Sequence, residues 1–379
     1  MKAFNSALIA LLAAFTISCT NEDSSFIDVD NSQNINNLLS VSEAESMLRN
    51  FVAETSTKSS SDFKIKSHTI KQVCVNDAQI SLSASVDTIP VYEFLTETDG
   101  KQGYSVVVGD KRIEKVVVSV PYGSLSDTSF IEPLRLYFRD LPLLLHQNLR
   151  QYYAGDTKKA TQTKSSVETC YKFLSTAWGQ GHPYNNQCPA KCYFNAPAGC
   201  VAIAVAQILA YHQVPSNLNW NAILEKSELT DSSDPVAINQ VASLVAQIGT
   251  KVNMEYNCDK SDAKLIDTPA AISSYGLKTD GIGAFNIGNC VFSLQNGGPL
   301  IISSGIKGKE DEHIWVCDAW KRHLYDDGTY YDYLNMNWGW SGDSNGFYLV
   351  EEPTSFSAGG YLFNSNLRTI LNILNSATL

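Results

Sequence analysis

The chain has 379 residues, of which 44% are hydrophobic and 10% aromatic, so it is long enough for two domains with an apolar core. Its formal net charge is −11, from 28 basic and 39 acidic residues. Nucleic-acid binding depends on clustered Lys and Arg, and the sequence has no basic stripe with interleaved aromatic residues. The composition therefore excludes a nucleic-acid partner.

The first residues are typical of an export signal. Met1-Lys2 supply positive charge, and Ala7 to Ile17 form an apolar run that is too short to cross a bilayer. Ser18-Cys19 resembles the lipobox of bacterial lipoproteins, in which the cysteine is lipidated; the alternative is a plain secretory signal that contains a Cys. We predict a signal peptide at 1–18, a lipid anchor on Cys19 and a flexible tether over 19–40. This implies an exported lipoprotein on the outer membrane, cell surface or periplasmic face, released if the chain is cleaved.

A small α+β unit is predicted over residues 41–165. Val41 to Glu54 has apolar residues at helical spacing, and Ser42 with Glu45 has the pattern of a capping box. Alternating segments then predict strands between residues 81 and 120, and residues 133–153 have a helical pattern. The clearest strand and turn signals are Tyr104–Val108, Val116–Val120, Asp99-Gly100 and Gly109-Asp110.

A polar segment separates this unit from the second one, at 166–379. Gly155 to Glu168 contains Lys158 and Lys159 and almost no apolar side chain. Such a composition is typical of an interdomain linker and equally of a site where proteases cut. Composition alone does not choose between the two.

A buried helix with a cysteine at its start is the first chemical signal. The run from Gly199 to His212 is apolar on nearly every face, which predicts a helix surrounded by protein. Cys200 follows the turn-forming Ala196–Gly199, so the unpaired N–H groups and the helix dipole are expected to lower its pKa. The alternative is a cysteine that simply packs in the core.

Three further segments contain the partners that a cysteine nucleophile needs. His313 stands at the head of an apolar strand and can act as a base. Asn337 or Trp338, at the end of a later strand, can hold the imidazole in its working tautomer. Gln180 offers a side-chain amide to an oxyanion.

The chain order Gln, Cys, His, Asn/Trp resembles the streptopain family of papain-like cysteine peptidases. The matching segments are Gln180–Asn185, Gly199–Ala202, Ala206–Ile208, His313, Asn337–Gly342 and the Gly-rich Ser357–Gly360. The likeness extends over about residues 170–379, and more loosely over 41–150, where it resembles an inhibitory propeptide. It implies a papain-like α+β fold in which a helical half faces an antiparallel sheet.

The resemblance also implies roles for the site residues. Cys200 would be the nucleophile, His313 the general base and then acid, and Gln180 with the Cys200 backbone N–H the oxyanion donors. Asn337 and Trp338 would orient and shield the imidazole. The reaction would be peptide-bond hydrolysis in a zymogen, through a thioester. Its partners would be protein or peptide substrates and the chain's own propeptide, and no cofactor or metal is needed. The lipid anchor predicted on Cys19 adds a membrane as a partner.

One departure and several alternatives accompany this assignment. Asp311 and Glu312 stand where the family has glycines, and we expect them to raise the pKa of His313. His182 and the distant His212 are poor bases, and the spacing of Cys188, Cys192 and Cys200 does not favour zinc. Disulfide pairing stays open. Acyl transfer on the same residues, or a surface lipoprotein that binds without catalysis, are the competing functions.

Overall fold

The computed structural model describes residues 37–54, 62–75, 87–113, 115–124, 141, 145, 148–149, 164–171, 173–191, 193–306, 312–326, 328–351, 356–358 and 361–375. No helix within those ranges is long and apolar enough to span a membrane. The predicted signal peptide, the lipid anchor on Cys19, and Asp311 lie outside the described residues.

Helices of the described ranges lie at the start of the first unit and in the first half of the second. They are α1 Val41–Ala53, α2 Cys200–His212, α3 Trp220–Ile223, α4 Pro235–Lys251, α5 Thr268–Ser273 and α6 Ile287–Asn296, with a 3-10 turn at Leu265–Asp267. The predicted helix over 133–153 lies mostly outside the described residues. Its described positions Leu141, Leu145, Asn148 and Leu149 are helical.

Strands make up most of the rest. They are β1 Lys64–Val75, β2 Asp87–Thr98, β3 Lys101–Val108, β4 Val116–Val120, β5 Lys164–Tyr171, β6 Ala190–Lys191, β7 Phe194–Asn195, β8 Glu255–Tyr256, β9 Ser261–Asp262, β10 Leu277–Lys278, β11 Ile282–Ala284, β12 Leu300–Ile306, β13 Glu312–Tyr325, β14 Tyr330–Asn337, β15 Gly346–Val350, β16 Phe356–Ala358, β17 Tyr361–Ile370 and β18 Leu374–Asn375. The predicted strands at 104–108 and 116–120 and the Asp99-Gly100 turn are confirmed.

One antiparallel sheet runs through both units. Its strands lie in the order β1-β2-β3-β4-β15-β14-β13-β12-β17-β11, with β16 beside β17 and β5 beside β13. The first unit joins the second where β4 pairs with β15, through Ser119 opposite Phe347 and Val118 opposite Tyr348. The helices of the second unit pack on the β13 side, with α2 against both β13 and α4.

The predicted first helix is confirmed, but its cap is two residues earlier than expected. Ser40, not Ser42, is the N-cap, and its hydroxyl accepts from Glu43 N while the Glu43 carboxylate accepts from Ser40 N at 2.7 Å. The sequence holds two overlapping capping-box patterns. The earlier one also buries Leu39 beside Ala44, an apolar contact across the helix start that the later one lacks.

Two predicted flexible segments are shorter than expected. Residues 164–168, predicted as the end of a linker, form the first part of β5 and pair with β13. Residues 37–40, predicted as tether, contact the first unit, because Leu39 N donates to Gly109 O at 3.0 Å. Backbone pairing, which composition does not reveal, ordered both segments.

Buried charges join the two units. Lys321 of β13 is fully buried, donates to Phe51 O at 3.0 Å at the end of α1, and lies 3.7 Å from the Glu54 carboxylate. His323 Nε2 donates to the same carboxylate at 2.8 Å, and Lys164 also pairs with it. In a second ion pair the lysine belongs to the first unit and the carboxylate to the second: buried Lys115 pairs with Glu351.

The Glu54 carboxylate is therefore strongly stabilised as an anion. Burial opposes its ionisation, but the hydrogen bonds from His323 and Lys164 and the nearby positive charges outweigh burial and lower its pKa from 4.5 to about 2. Its contribution to stability is present above pH 4.5 and disappears as the pH falls through about 2.

Glu54→Gln should lower the free energy of unfolding by about 3 kcal/mol at neutral pH, because it leaves Lys321 buried without a counter-charge. Urea unfolding of the full chain at several pH values measures this. The difference from wild type should shrink as the pH falls from 4.5 toward 2. Glu97→Gln, which breaks the exposed 3.1 Å contact with Lys66, is the control and should cost less than about 1 kcal/mol. Equal losses would contradict a special role for Glu54.

Candidate active site

Cys200 is the first residue of α2, as predicted. Gly199 before it has φ +85°, and a Cβ at that position would lie 2.6 Å from Met254 Cε and 3.0 Å from Ser261 O. Only glycine therefore fits this turn, on both conformation and space. The turn starts the helix directly under the β8–β9 hairpin, and it leaves the N–H groups of the first helical turn without intrahelical partners.

The Cys200 thiol is partly buried between α2 and β13. Burial raises the pKa of the thiol to about 11, although the backbone N–H groups of Ile314 and Val201 favour the thiolate. Asp262 raises this pKa further, and Lys260, which pairs with Asp262 at 2.9 Å, opposes it. The expected net lowering by the helix terminus is thus wrong for this state, because desolvation is the larger effect.

His313 is the second residue of β13 and is buried in a cluster of aromatic rings. Its Nε2 donates to Trp338 O at 2.9 Å, and its ring stacks on Trp340 at a centroid distance of 4.8 Å. A carbonyl can only accept, so Nε2 carries the proton and Nδ1 is the nitrogen available as a base. Because Ile314 contacts the thiol, the strand brings Cys200 and His313 into one site.

The pKa of His313 is lowered to about 4, mainly by burial, with Lys260 also lowering it and the Trp338 carbonyl opposing. The expectation that the neighbouring acids raise this pKa is therefore wrong for Glu312. Successive side chains on a strand point to opposite faces, and the Glu312 carboxylate accepts from Ser303 Oγ at 2.7 Å on β12. Asp311 lies outside the described residues.

Gln180 lies next to the Cys200 turn. Its carbonyl accepts from Ala198 N at 2.8 Å, two residues before the nucleophile. This placement is compatible with the predicted oxyanion role.

Of the two predicted orienting residues, Trp338 contacts the imidazole and Asn337 does not hydrogen-bond to it. The Asn337 amide is engaged elsewhere: its Nδ2 donates to Thr176 O at 2.8 Å, and its Oδ1 accepts from Gln207 Nε2 at 3.1 Å. Asn337 thus joins β14 to α2, while the neighbouring carbonyl holds the histidine.

The other candidates lie apart from this chemistry. His182 is exposed and its pKa is raised by hydrogen bonds to Asp231 and Asn186. Cys188 is buried, and Cys258 is in a disulfide. Of the Gly-rich segment 357–360, residues 357–358 lie in β16, and 359–360 are outside the described residues.

Sequence reasoning gave no role to two polar residues that hold the site together. Gln207 is fully buried on α2, and Asn345 Oδ1 accepts from Trp338 N at 2.9 Å. A glutamine in an otherwise apolar helix is a recognisable signal, since a buried amide must find partners. Asn345 gave no such signal, because an asparagine in a Gly-rich polar segment is ordinary and its partner is the backbone N–H of Trp338.

The chain is similar in sequence and in fold to known peptidases. Residues 178–348 match the model of the Peptidase C10 family. Streptopain from Streptococcus pyogenes serotype M1 is 25% identical over 313 residues, which is 68% of this chain and 74% of the relative. A solved prointerpain A fragment from Prevotella intermedia matches with a TM-score of 0.52 at 18% identity, over 80% of this chain and 99% of the fragment. That match confirms the predicted fold class.

Gly199→Ala should sharply reduce the reactivity of Cys200. The new methyl group would clash with Met254 and Ser261 and push the start of α2, with Cys200, out of place. The rate of iodoacetamide alkylation at Cys200, with the modified peptide identified by mass spectrometry, measures this. Gly181→Ala is the matched control, since a Cβ there meets nothing within 4 Å. Equal rates in the two variants would show that the Gly199 turn does not position the thiol.

Proposed function

We propose that the chain is a cysteine endopeptidase that hydrolyses proteins through Cys200 and His313. The match of residues 178–348 to the model of the Peptidase C10 family supports this proposal. One observation carries the proposal. The Cys200 thiol lies against Ile314 N–H, and the adjacent His313 has its Nε2 fixed by the Trp338 carbonyl. The remaining nitrogen is then available to take the thiol proton.

The reaction follows from these positions. His313 Nδ1 takes the proton as Cys200 Sγ forms a bond to the scissile carbonyl carbon, whose oxygen becomes negative. The Gln180 amide and the N–H groups at the start of α2 donate to that oxygen. The imidazolium then gives its proton to the departing amine as the C–N bond breaks. Water attacks the thioester, loses a proton to His313, and the acid leaves as the thiol reforms.

The proposal includes latency of the full chain. With a thiol pKa of about 11 and an imidazole pKa of about 4, both groups are neutral at pH 7, so proton transfer from sulfur to nitrogen is strongly unfavourable. The first unit, residues 41–165, serves as the inhibitory segment, and a cut in the basic stretch at 155–163 separates it from the catalytic unit. The family relationship and the charged junction at Glu54 support this division.

The proposal also places the enzyme outside the cytoplasm, as a lipoprotein anchored at Cys19. Its support is the apolar run before Ser18-Cys19 and the polar residues after it. Cleavage after residue 155 would release the catalytic unit from that anchor. Extracellular proteins are then the expected substrates.

Cys200→Ala should abolish hydrolysis of casein while the chain stays folded, because one sulfur atom is removed from a partly buried position. Casein cleavage and thermal unfolding of both proteins check this. Casein cleavage by Cys200→Ala at the wild-type rate would exclude Cys200 as nucleophile. A wild-type protein that binds casein without cutting it would favour the non-catalytic alternative.

In the uncut wild-type chain, Cys200 should react slowly with iodoacetamide at pH 7 and faster as the pH approaches 11. After the 155–163 segment is cut, the rate at pH 7 should rise at least about tenfold, since a thiolate–imidazolium pair then exists at neutral pH. Cys290, which is fully buried in the core, provides an internal reference. Equal Cys200 rates before and after cutting would contradict latency.

A further inference from the structure

A single side chain, Gln207, connects the three parts of the candidate site. It lies seven residues after Cys200, two turns along the same face of α2 and about 10 Å deeper. The side chain is fully buried. A buried amide in an otherwise apolar helix is costly unless all its polar atoms are satisfied.

The Gln207 side chain makes four hydrogen bonds to the segments around the site. Its oxygen accepts three of them, and one N–H donates the fourth. Oε1 accepts from Trp178 N at 3.1 Å, from Thr176 Oγ1 at 3.1 Å and from Asn337 Nδ2 at 3.2 Å. Nε2 donates to Asn337 Oδ1 at 3.1 Å. The two amides therefore form a reciprocal pair, which fixes both orientation and distance between α2 and β14.

Each partner stands next to a functional group. Asn337 precedes Trp338, whose carbonyl binds His313 Nε2. Trp178 is two residues before Gln180, the predicted oxyanion donor. Gln207 itself shares a rigid helix with Cys200. A shift of this amide would thus move the imidazole and the oxyanion donor relative to the sulfur.

We propose that Gln207 is a positioning residue that sets the alignment of Cys200, His313 and Gln180, an inference that rests on the proposed peptidase function. Gln207 acts through the Asn337 amide and the Trp178 backbone, and does not touch substrate. Its effect should appear in turnover and in the ionisation of the imidazole, because the Trp338 carbonyl stabilises the imidazolium. Substrate affinity should change little.

The test compares Gln207→Met with wild type, both cut at 155–163, using a peptide substrate across pH 5–10. Met keeps the volume and removes all four hydrogen bonds. We expect kcat to fall about tenfold or more, KM to stay within about twofold, and the alkaline limb of the activity profile to move to lower pH. Leu209→Ala, equally buried on α2 but outside the network, is the control. It should lower the Tm and leave the alkaline limb in place.

Gln207→Glu covers the case in which Gln207→Met does not fold. A carboxylate keeps the three accepted hydrogen bonds, but it can donate to Asn337 Oδ1 only when protonated. The ratio of its kcat to the wild-type kcat should therefore rise as the pH falls. A ratio that is constant with pH, or a Gln207→Met protein with wild-type kcat and alkaline limb, would overturn the role of Gln207. Absence of Cys200-dependent hydrolysis in wild type would instead overturn the proposed function.

Discussion

The close approach of α2 to β13 is the contact on which the rest of the site depends. The nucleophile is on the helix and the base is on the strand, and the Cys200 sulfur meets the backbone at Ile314. Small, fully buried residues along α2, such as Ala202 and Ala206, accompany this approach, and Gly199 starts the helix in a space limited by Met254 and Ser261. The near absence of a polar face on α2 follows from the same constraint, since the helix is surrounded by protein.

Bringing the groups together in this way removes them from water, which determines their charge. Desolvation outweighs the helix terminus at Cys200 and leaves His313 neutral. At the junction between the units, by contrast, buried groups have charged partners. Lys321 and Lys115 are buried, and each lies opposite a carboxylate of the other unit. When two surfaces separate, buried charged groups regain their hydration, which favours separation. Exposing apolar groups to water costs free energy and opposes separation. A junction with buried ion pairs is therefore better suited to units that come apart than a purely apolar one.

The sequence was sufficient for the elements whose signals are local. The α1 and α2 helices and the strand that carries His313 all depend on neighbours within a few residues. What depended on distant partners was misjudged or missed: Ser40 rather than Ser42 caps α1 because Leu39 is buried, and β5 is ordered by β13. The pKa of His313 is set by burial, and Glu312 points to the other face. Lys321 gave no signal, since nothing local shows that a lysine will be buried against Glu54.

The geometry of the junction also limits how the first unit can act on the site. Lys321 is eight residues from His313, about 27 Å along an extended strand, so the α1 contacts hold the unit in place without reaching the imidazole. A second contact lies much closer: Ser344 N donates to Tyr122 O at 2.9 Å, just after β4. The same turn contains Asn345, which binds Trp338 N, and Ser341, whose N–H donates to Trp178 O at 3.2 Å. The first unit therefore contacts the turn that orients both the histidine and the Gln180 segment. The contacts of α1 with β13 hold the first unit in the position that makes this contact.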